Sequence, residues 1–227
     1  MHSEQQAPNT TFEATCAKTA QAPQLHVMPI DTALAQSEQW MTQRVSLTDG
    51  ITFTTTNRLR VAIALLHLSL EHQTGIHSLV NLGVIGSAFA LCRPQFEAYV
   101  RGVWYHRCAT DAQVSLFISG EQPPKINVLI EEIEKLEAFD EKLLSSTKRQ
   151  LWSNLNDFTH GGTTQVKARC TMDEITQNYK EEHIANLLTA SASLSLVAGV
   201  ALSAAVGSEA LARELHSTFR RIYGPAA

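Results

Sequence analysis

The sequence predicts an all-α protein, a single-domain bundle of about seven or eight helices. Apolar residues recur at helical spacing along most of the chain, whereas the strict alternation typical of strands is scarce. A chain of 227 residues is long enough for one domain that needs no disulfide or metal to fold. Residues 1–30 are rich in Gln, Thr, Ala and Pro, so we expect a flexible arm there and the helical domain over 31–227.

Capping and helix-ending residues divide the periodic part of the chain into separate helices. Asp31 and Ser208 are suited to cap helix N-termini, Asp140 opens a helix, and Gly161-Gly162 ends one. The predicted helices span residues 31–46, 55–74, 76–108, 111–119, 125–137, 140–160, 173–206 and 208–222.

Charge and cysteine usage exclude several classes of protein. The 18 basic and 22 acidic residues are spread along the chain, so charge gives no support for nucleic-acid binding. The four cysteines form no C-x-x-C pair, which argues against a zinc ribbon, a redox motif or a disulfide framework. The first residues have neither the basic region nor the apolar run of a secretory signal. We therefore expect a cytoplasmic protein with reduced thiols.

Residues 184–207 carry no charge and are long enough to cross a bilayer. They also contain an Asn, a Thr and four Ser, without clear basic or aromatic anchors at the ends, so we expect a buried or interface helix and no membrane span. Gly199, Ser203 and Gly207 repeat every four residues on one face. This spacing fits a close core contact or a two-fold dimer seam, and we expect a homodimer through a helix face.

The predicted helix 76–108 carries a stripe of charges in apolar surroundings. Arg93, Glu97 and Arg101 follow one another at i, i+4 and i+8, which brackets the carboxylate between two guanidinium groups. Pro94 within this helix removes a backbone donor from the carbonyl of Ala90. Since buried charges are costly unless they are paired, the trio is either a structural ladder that fixes helix register or part of a ligand or catalytic site.

A second polar group lies where the predicted helix 140–160 ends. Asn156, Asp157 and His160 share one region of the helix surface, and His160 falls on the last turn, where the helix dipole favours its cation. Histidine titrates close to neutrality, and Asp157 one turn earlier would orient its ring; the alternative is a histidine that only caps the helix. We predict that the two motifs meet, with His160 or Asp157 within hydrogen-bond reach of the Arg-Glu-Arg trio.

The motifs resemble an uncharacterised family of bacterial helical proteins. Residues 86–104 contain an R-P-x-x-E-A helix from Arg93 to Ala98, and residues 157–162 read D-x-T-H-G-G. The similarity runs from about residue 55 to residue 205 and implies an all-α domain in a bacterial cytoplasm. The family has no agreed activity, so the resemblance bears on the fold and on the choice of residues.

The chain also resembles, more distantly, the HEPN class of helical bundles. Toxin members of that class cut RNA with an Arg and a His separated by four to six residues, and the resemblance implies such a ribonuclease here. Arg101 and His106 are separated by four residues, and Arg60 and His67 by six. In this interpretation the arginine stabilises phosphate charge and the histidine transfers a proton.

Metal binding is not expected from the remaining histidines. His67, Glu71, His72 and His77 look like a ligand cluster, but histidines five residues apart point in directions about 140° apart around a helix. The sequence also lacks the G-x-S-x-G, H-E-x-x-H and Walker motifs. We expect neither a metal nor another cofactor.

Three functions remain open from the sequence. The first is a binding or scaffold module organised by the buried ladder, the second is the HEPN-like ribonuclease, and the third is an enzyme or sensor for a small anionic molecule. An open cleft that contains Arg93, Arg101 and His160 together would favour the small anion, and a sealed ladder would favour the scaffold. The candidate catalytic residues are His160, Glu97 and Asp157, the candidate ligand-binding residues are Arg93, Arg101 and Asn156, and the alternative ribonuclease pair is Arg101 and His106.

Overall fold

The fold is all-α, as predicted, with nine α-helices, one 3-10 helix (η1) and no strand among residues 28–139 and 141–224. These ranges are the part of the chain that the computed structural model describes, without the side chains of residues 151 and 153–155. Residues 1–27, most of the predicted arm, and Asp140, a predicted helix start, lie outside them. The helices are α1 Ile30–Thr48, α2 Asn57–Asn81, α3 Ile85–Arg107, α4 Asp111–Ile118, α5 Ile126–Ile133, η1 Glu137–Phe139, α6 Leu143–His160, α7 Thr163–Lys167, α8 Glu181–Ala205 and α9 Glu209–Tyr223.

Helix α3 occupies the centre of the bundle. It packs most extensively on α2 and also contacts α5, α6 and α8. Its sequence explains this position, because apolar or small side chains cover most of its surface. Gly102 faces Leu66 of α2, where a Cβ atom would lie 2.7 Å from Leu66 Cγ and 3.1 Å from the Leu66 backbone nitrogen. The close contact between α2 and α3 therefore depends on the missing side chain at Gly102.

The predicted break between helices at residue 75 is wrong. Helix α2 continues through Gly75 to Asn81, and the turn that follows contains Gly83, which has a φ of +73°. At Gly75 an added Cβ would lie 3.2 Å from Leu91 Cδ1, so this glycine marks a close approach of α3 instead of a helix end.

Other boundaries also differ from the prediction. The helix predicted from residue 173 begins at Glu181, because backbone bonds from Thr176 and Asn178 to the 168–169 segment hold the preceding residues in a loop. Helix α7 was not predicted, and α5 ends before the 3-10 turn η1. The predicted N-cap Asp31 lies instead in the first turn of α1. Ser208 is confirmed as an N-cap, since its side chain accepts a hydrogen bond from the Leu211 N–H.

Within the described part of the chain, α8 is the one helix that is long and apolar enough to cross a membrane, with a mean hydropathy of 1.8 over its most apolar window. Half of that window is buried, and α1, α2, α3 and α9 all contact α8. The contacts of α8 with four other helices are in line with the prediction of a buried or interface helix.

The small-residue stripe of α8 makes a contact within the chain. A Cβ atom on Gly199 would lie 3.0 Å from Leu215 Cδ1 of α9, and the buried Ser203 hydroxyl donates to the Gly199 carbonyl. Gly207 does not extend the stripe, because it follows the helix end with a φ of +73°. Of the two predicted uses of this face, the close core contact is the one that the fold shows.

A buried polar network joins α1 to α2 and makes the stability sensitive to acid. Arg44 is 3% exposed and donates to Gln73 Oε1, while His77 Nδ1 lies 3.2 Å from Ser37 Oγ. Burial lowers the pKa of His77, an effect that Glu38 partly offsets. A histidine with a lowered native pKa takes up its proton first in the unfolded state, so acid favours unfolding.

We therefore expect the thermal unfolding midpoint to fall as the pH decreases from 7.5 to 5.5, through the ordinary histidine pKa of about 6.5. The decrease in the midpoint levels off once the pH is below the pKa of His77 in the folded protein. Between these two pH values, the unfolding midpoint of the variant His77→Gln should fall by less than that of the parent. The midpoint of His67→Gln, a change at an exposed position, should fall as much as that of the parent. A midpoint that rises on acidification would contradict the assignment of a neutral buried histidine.

Candidate functional site

The charged stripe of α3 forms a continuous trio of ion pairs. Arg93 Nε donates to Glu97 Oε1 and Arg101 Nη2 donates to Glu97 Oε2, each at 2.7 Å. The spacing of four residues along α3 places the three side chains one turn apart on the same face. Each carboxylate oxygen of Glu97 therefore pairs with a different arginine.

The trio is only partly buried, which differs from the predicted apolar interior. The side chains of Arg93, Glu97 and Arg101 are 24%, 14% and 33% exposed, respectively. Helix α3 is central, but this face of it opens at the surface between α2 and the end of α6. Water and solutes can therefore reach both guanidinium groups.

The end of α6 completes the surroundings of Arg93. Arg93 Nη1 donates to Asn156 Oδ1 at 2.9 Å and lies 2.8 Å from His160 Nε2. A guanidinium group only donates, so His160 Nε2 is the acceptor in this contact. The indole ring of Trp152 lies 4.9 Å from the guanidinium carbon. The predicted meeting of the two motifs, which are about 60 residues apart, is confirmed through His160.

Asp157 has a different role from the one predicted. Its Oδ2 accepts the backbone N–H of Thr164 at 2.6 Å, at the start of α7, and hydrogen bonds from the Thr164 side chain and backbone lower the pKa of the carboxyl group. The carboxylate therefore stabilises the first turn of α7 and does not orient His160.

Local structure also explains why two glycines follow His160. Gly161 ends α6 in the left-handed conformation, with a φ of 69°, as predicted for a helix C-cap. A Cβ atom on Gly162 would lie 1.8 Å from Asp157 Oδ1, so only glycine leaves room for the carboxylate. The segment 157–162 thus turns the chain sharply and fixes His160 beside Arg93.

An open cleft of about 310 Å³ lies over the trio, between α2, α3 and the end of α6. It brings Arg93, Arg101 and His160 together, which is the arrangement that the sequence analysis required for a small-ligand site. The lining residues are Leu65, Leu68, His72, Arg93, Pro94, Glu97, Ala98, Arg101, Thr159 and His160.

His72 is a member of this cleft that the sequence analysis did not select. Burial lowers its pKa, and Glu71 partly offsets the shift, so the ring is neutral at pH 7. In the sequence, His72 stands out only as a possible metal ligand, and its spacing of five residues from His67 and from His77 argues against that role. Its place opposite Arg93 depends on the register between α2 and α3, for which the sequence carries no direct signal.

The charges of the cleft are unbalanced. Glu97 carries one negative charge for two guanidinium groups, which leaves one positive charge in excess among the lining residues. The Nε of Arg101 is also buried and has no hydrogen-bond partner within the described ranges. This atom is closed to solvent, so a molecule in the cleft can reach only the other parts of the Arg101 side chain, which is 33% exposed.

His106, the predicted ribonuclease partner of Arg101, is not among the residues that line the cleft. The two side chains are five positions apart on α3 and point about 140° apart around the helix axis. Burial and the nearby Arg107 and Arg58 lower the pKa of His106. Within one chain, therefore, the cleft contains Arg101 but not His106.

Metal-ligating side chains do not cluster in the part of the chain that the structure describes, where no group of three or more His, Cys, Asp or Glu residues converges. Of the histidines considered as ligands, His67 is exposed, His72 lines the cleft and His77 contacts Ser37.

Comparison with known proteins identifies the family. No curated protein and no solved structure matches the chain. The model of a family of unknown function, DUF6988, matches residues 66–223, which include α3, α6 and the whole of the cleft except Leu65. Over more than half of its length, therefore, the chain is a member of DUF6988, a family of unknown function.

Proposed function

We propose that the cleft over α3 binds a small anionic molecule. The observation that carries this proposal is an open cleft in which two partly exposed guanidinium groups share one carboxylate, so that one positive charge is in excess. A carboxylate or phosphate group would accept hydrogen bonds from the exposed parts of these guanidinium groups and balance the excess positive charge.

The two arginines have different roles in this proposal. Arg93 contacts Glu97, Asn156, His160 and the ring of Trp152, so its guanidinium group is held in place before any ligand arrives. Arg101 has Glu97 as its one hydrogen-bonded partner among the described residues and keeps donors available. Arg93 therefore fixes the position of the charge, and Arg101 makes the directed hydrogen bonds to the anion.

The size and walls of the cleft restrict the ligand. A volume of about 310 Å³ is at the lower end of the range for small-molecule sites. Leu65, Leu68, Pro94 and Ala98 give it an apolar wall beside the arginines. A small apolar body with one anionic group fits this combination.

Two histidines provide the groups that could exchange a proton with such a ligand. His160 Nε2 lies 2.8 Å from Arg93 Nη1, and burial lowers the pKa of His72 on the facing helix. A neutral imidazole close to a bound anion can accept a hydrogen bond or a proton. The proposed function is binding, and any reaction in this cleft would use one of these two rings as its base.

Titration calorimetry with matched probes tests the proposal. We expect phenyl phosphate and benzoate to bind about tenfold more tightly than neutral benzamide, since one charge-assisted interaction contributes roughly 1.5 kcal/mol or more. Arg101→Met should remove this preference, because it keeps the apolar stem and deletes the guanidinium donors. Arg213→Met, which removes an arginine from an exposed ion pair with Glu209, should leave it unchanged.

Two results would count against anion binding. One is equal affinity for benzamide and benzoate, and the other is no saturable binding of either anion. Either result, together with a loss of stability in Arg101→Met, would support the scaffold role instead, because a purely structural ladder needs its arginines for folding and not for a ligand.

A further inference from the structure

A second and larger cavity lies beside the anion cleft, along a neighbouring stripe of α3. It has a volume of about 680 Å³ and lies between α3, η1, α6 and α8. The neighbouring stripe of α3 lines it, with Cys92, Phe96 and Tyr99, and none of the trio residues does. The cavity is therefore distinct from the cleft, although Trp152 contacts Arg93 of the cleft and also lines the cavity. Its volume is within the range typical of ligand pockets.

The walls of this cavity are mainly apolar and aromatic. Phe96, Tyr99, Phe139 and Trp152 place four rings around it, and burial raises the pKa of both Cys92 and Tyr99 to about 12. The thiol and the phenol are therefore neutral at any physiological pH. Side chains of Leu144, Leu194 and Val197 extend the apolar surface. An elongated hydrocarbon or aromatic body would replace water along these walls with a favourable free energy.

Lys148 is the positively charged residue that lines the cavity. Its Nζ lies 4.5 Å from the centroid of the Trp152 ring, and it forms no ion pair with any described carboxylate. Two acidic residues, Glu137 and Glu141, also line the cavity, but both are exposed. Water screens their charges strongly, whereas Lys148 is a partly buried residue with its Nζ beside the Trp152 ring, where screening is weaker.

We propose that this cavity binds a free amphipathic carboxylic acid, with its apolar body among the aromatic rings and its carboxylate at Lys148. The ammonium group would gain the counter-charge that it lacks within the described residues. Its position over Trp152 leaves three donors for an anionic oxygen. The ligand differs from that of the anion cleft in size, because the cavity has more than twice the volume of the cleft.

Three probes with the same ten-carbon chain and different head groups test this inference. Decanoate, decanol and decyltrimethylammonium are titrated below the concentrations at which they form micelles, and binding is followed by calorimetry. Tryptophan fluorescence gives a second readout, because Trp152 lines the cavity while Trp40 and Trp104 are fully buried elsewhere. We expect decanoate to bind about tenfold more tightly than decanol, and decyltrimethylammonium more weakly than both.

Variants of the full chain assign the binding to this cavity. Lys148→Met keeps the alkyl stem on Trp152 and should reduce the affinity for decanoate to that for decanol. Lys135→Met, at an exposed lysine that does not line the cavity, should have no effect. Ser193→Trp places a large ring at an exposed lining position and should abolish binding of decanoate and decanol while the helical circular dichroism remains unchanged.

The anion cleft could itself bind decanoate, so a further variant separates the two sites. Arg101→Met, which disables the cleft, should leave decanoate binding intact. Loss of binding in Arg101→Met with no loss in Lys148→Met would overturn the inference and assign decanoate to the cleft. Tighter binding of decyltrimethylammonium than of decanoate, or unaltered binding in Ser193→Trp, would overturn it as well.

Discussion

Replacing Gly102 with alanine should lower the free energy of unfolding by about 1–3 kcal/mol, although alanine favours helices by about 1 kcal/mol over glycine. The new Cβ would lie 2.7 Å from Leu66 Cγ, 2.9 Å from Leu66 Cδ2 and 3.1 Å from the Leu66 backbone nitrogen. Leu66 is fully buried on α2, so the two helices must move apart to relieve the overlap. Urea unfolding of the two proteins measures the difference.

A larger side chain at this position gives a larger effect. Gly102→Val should lower the free energy of unfolding by about 3 kcal/mol or more, since its two further methyl groups enlarge the overlap with Leu66 and this cost outweighs the modest helix preference of valine over glycine. Ala64→Val makes a similar addition at an exposed position of α2 and should change stability by about 0.5 kcal/mol at most. If Gly102→Ala stabilised the protein, helix propensity would outweigh packing, and the close contact of α2 with α3 would be wrong.

Replacing Glu97 with alanine should lower the free energy of unfolding by about 1–3 kcal/mol. The change leaves Arg93 and Arg101 on one face without the carboxylate that both contact at 2.7 Å. A fully buried broken pair costs about 3–5 kcal/mol, but the arginine side chains are 24% and 33% exposed, so water replaces part of the lost interaction. Glu97→Gln keeps acceptor capacity for one arginine and should lose less stability.

The exposed pair Glu209 and Arg213 provides the matched control, because it has the same spacing of four residues on a helix. Glu209→Ala should change the free energy of unfolding by no more than about 0.5 kcal/mol. Added acetate should raise the unfolding midpoint of Glu97→Ala more than that of the parent, since a small carboxylate can occupy the vacated position. A loss below about 0.5 kcal/mol in Glu97→Ala would mean that the trio is fully hydrated.

The segment from Asp157 to Gly162 shows how a short motif can combine structural and site residues. Asp157 holds the start of α7, Gly162 leaves room for its carboxylate, and Gly161 ends α6 in the left-handed conformation. Thr159 and His160 line the cleft, where His160 contacts Arg93. The sequence predicted a joint catalytic role for Asp157 and His160. The Asp157 carboxylate instead accepts a backbone N–H of α7, a short helix that was not predicted.

The break wrongly placed at Gly75 has a related cause. A glycine inside a periodic apolar segment is compatible with a helix end and with close packing of another helix, and the local sequence is the same in both cases. The position of Leu91 on α3 decides between them, because its side chain fills the space beside Gly75. Only the pairing of α2 with α3 contains that information.

The sequence by itself determined the all-α class, the alignment of Arg93, Glu97 and Arg101 on one face, and the end of α6 at Gly161. These features follow from helical geometry over a few residues, which side-chain type and spacing specify directly. The tertiary structure alone decided that the trio lies at an open cleft, that His72 faces it, and that Lys148 and Trp152 meet at a separate cavity. Those outcomes depend on the register of helices far apart in the chain, which the packing of all their faces sets together.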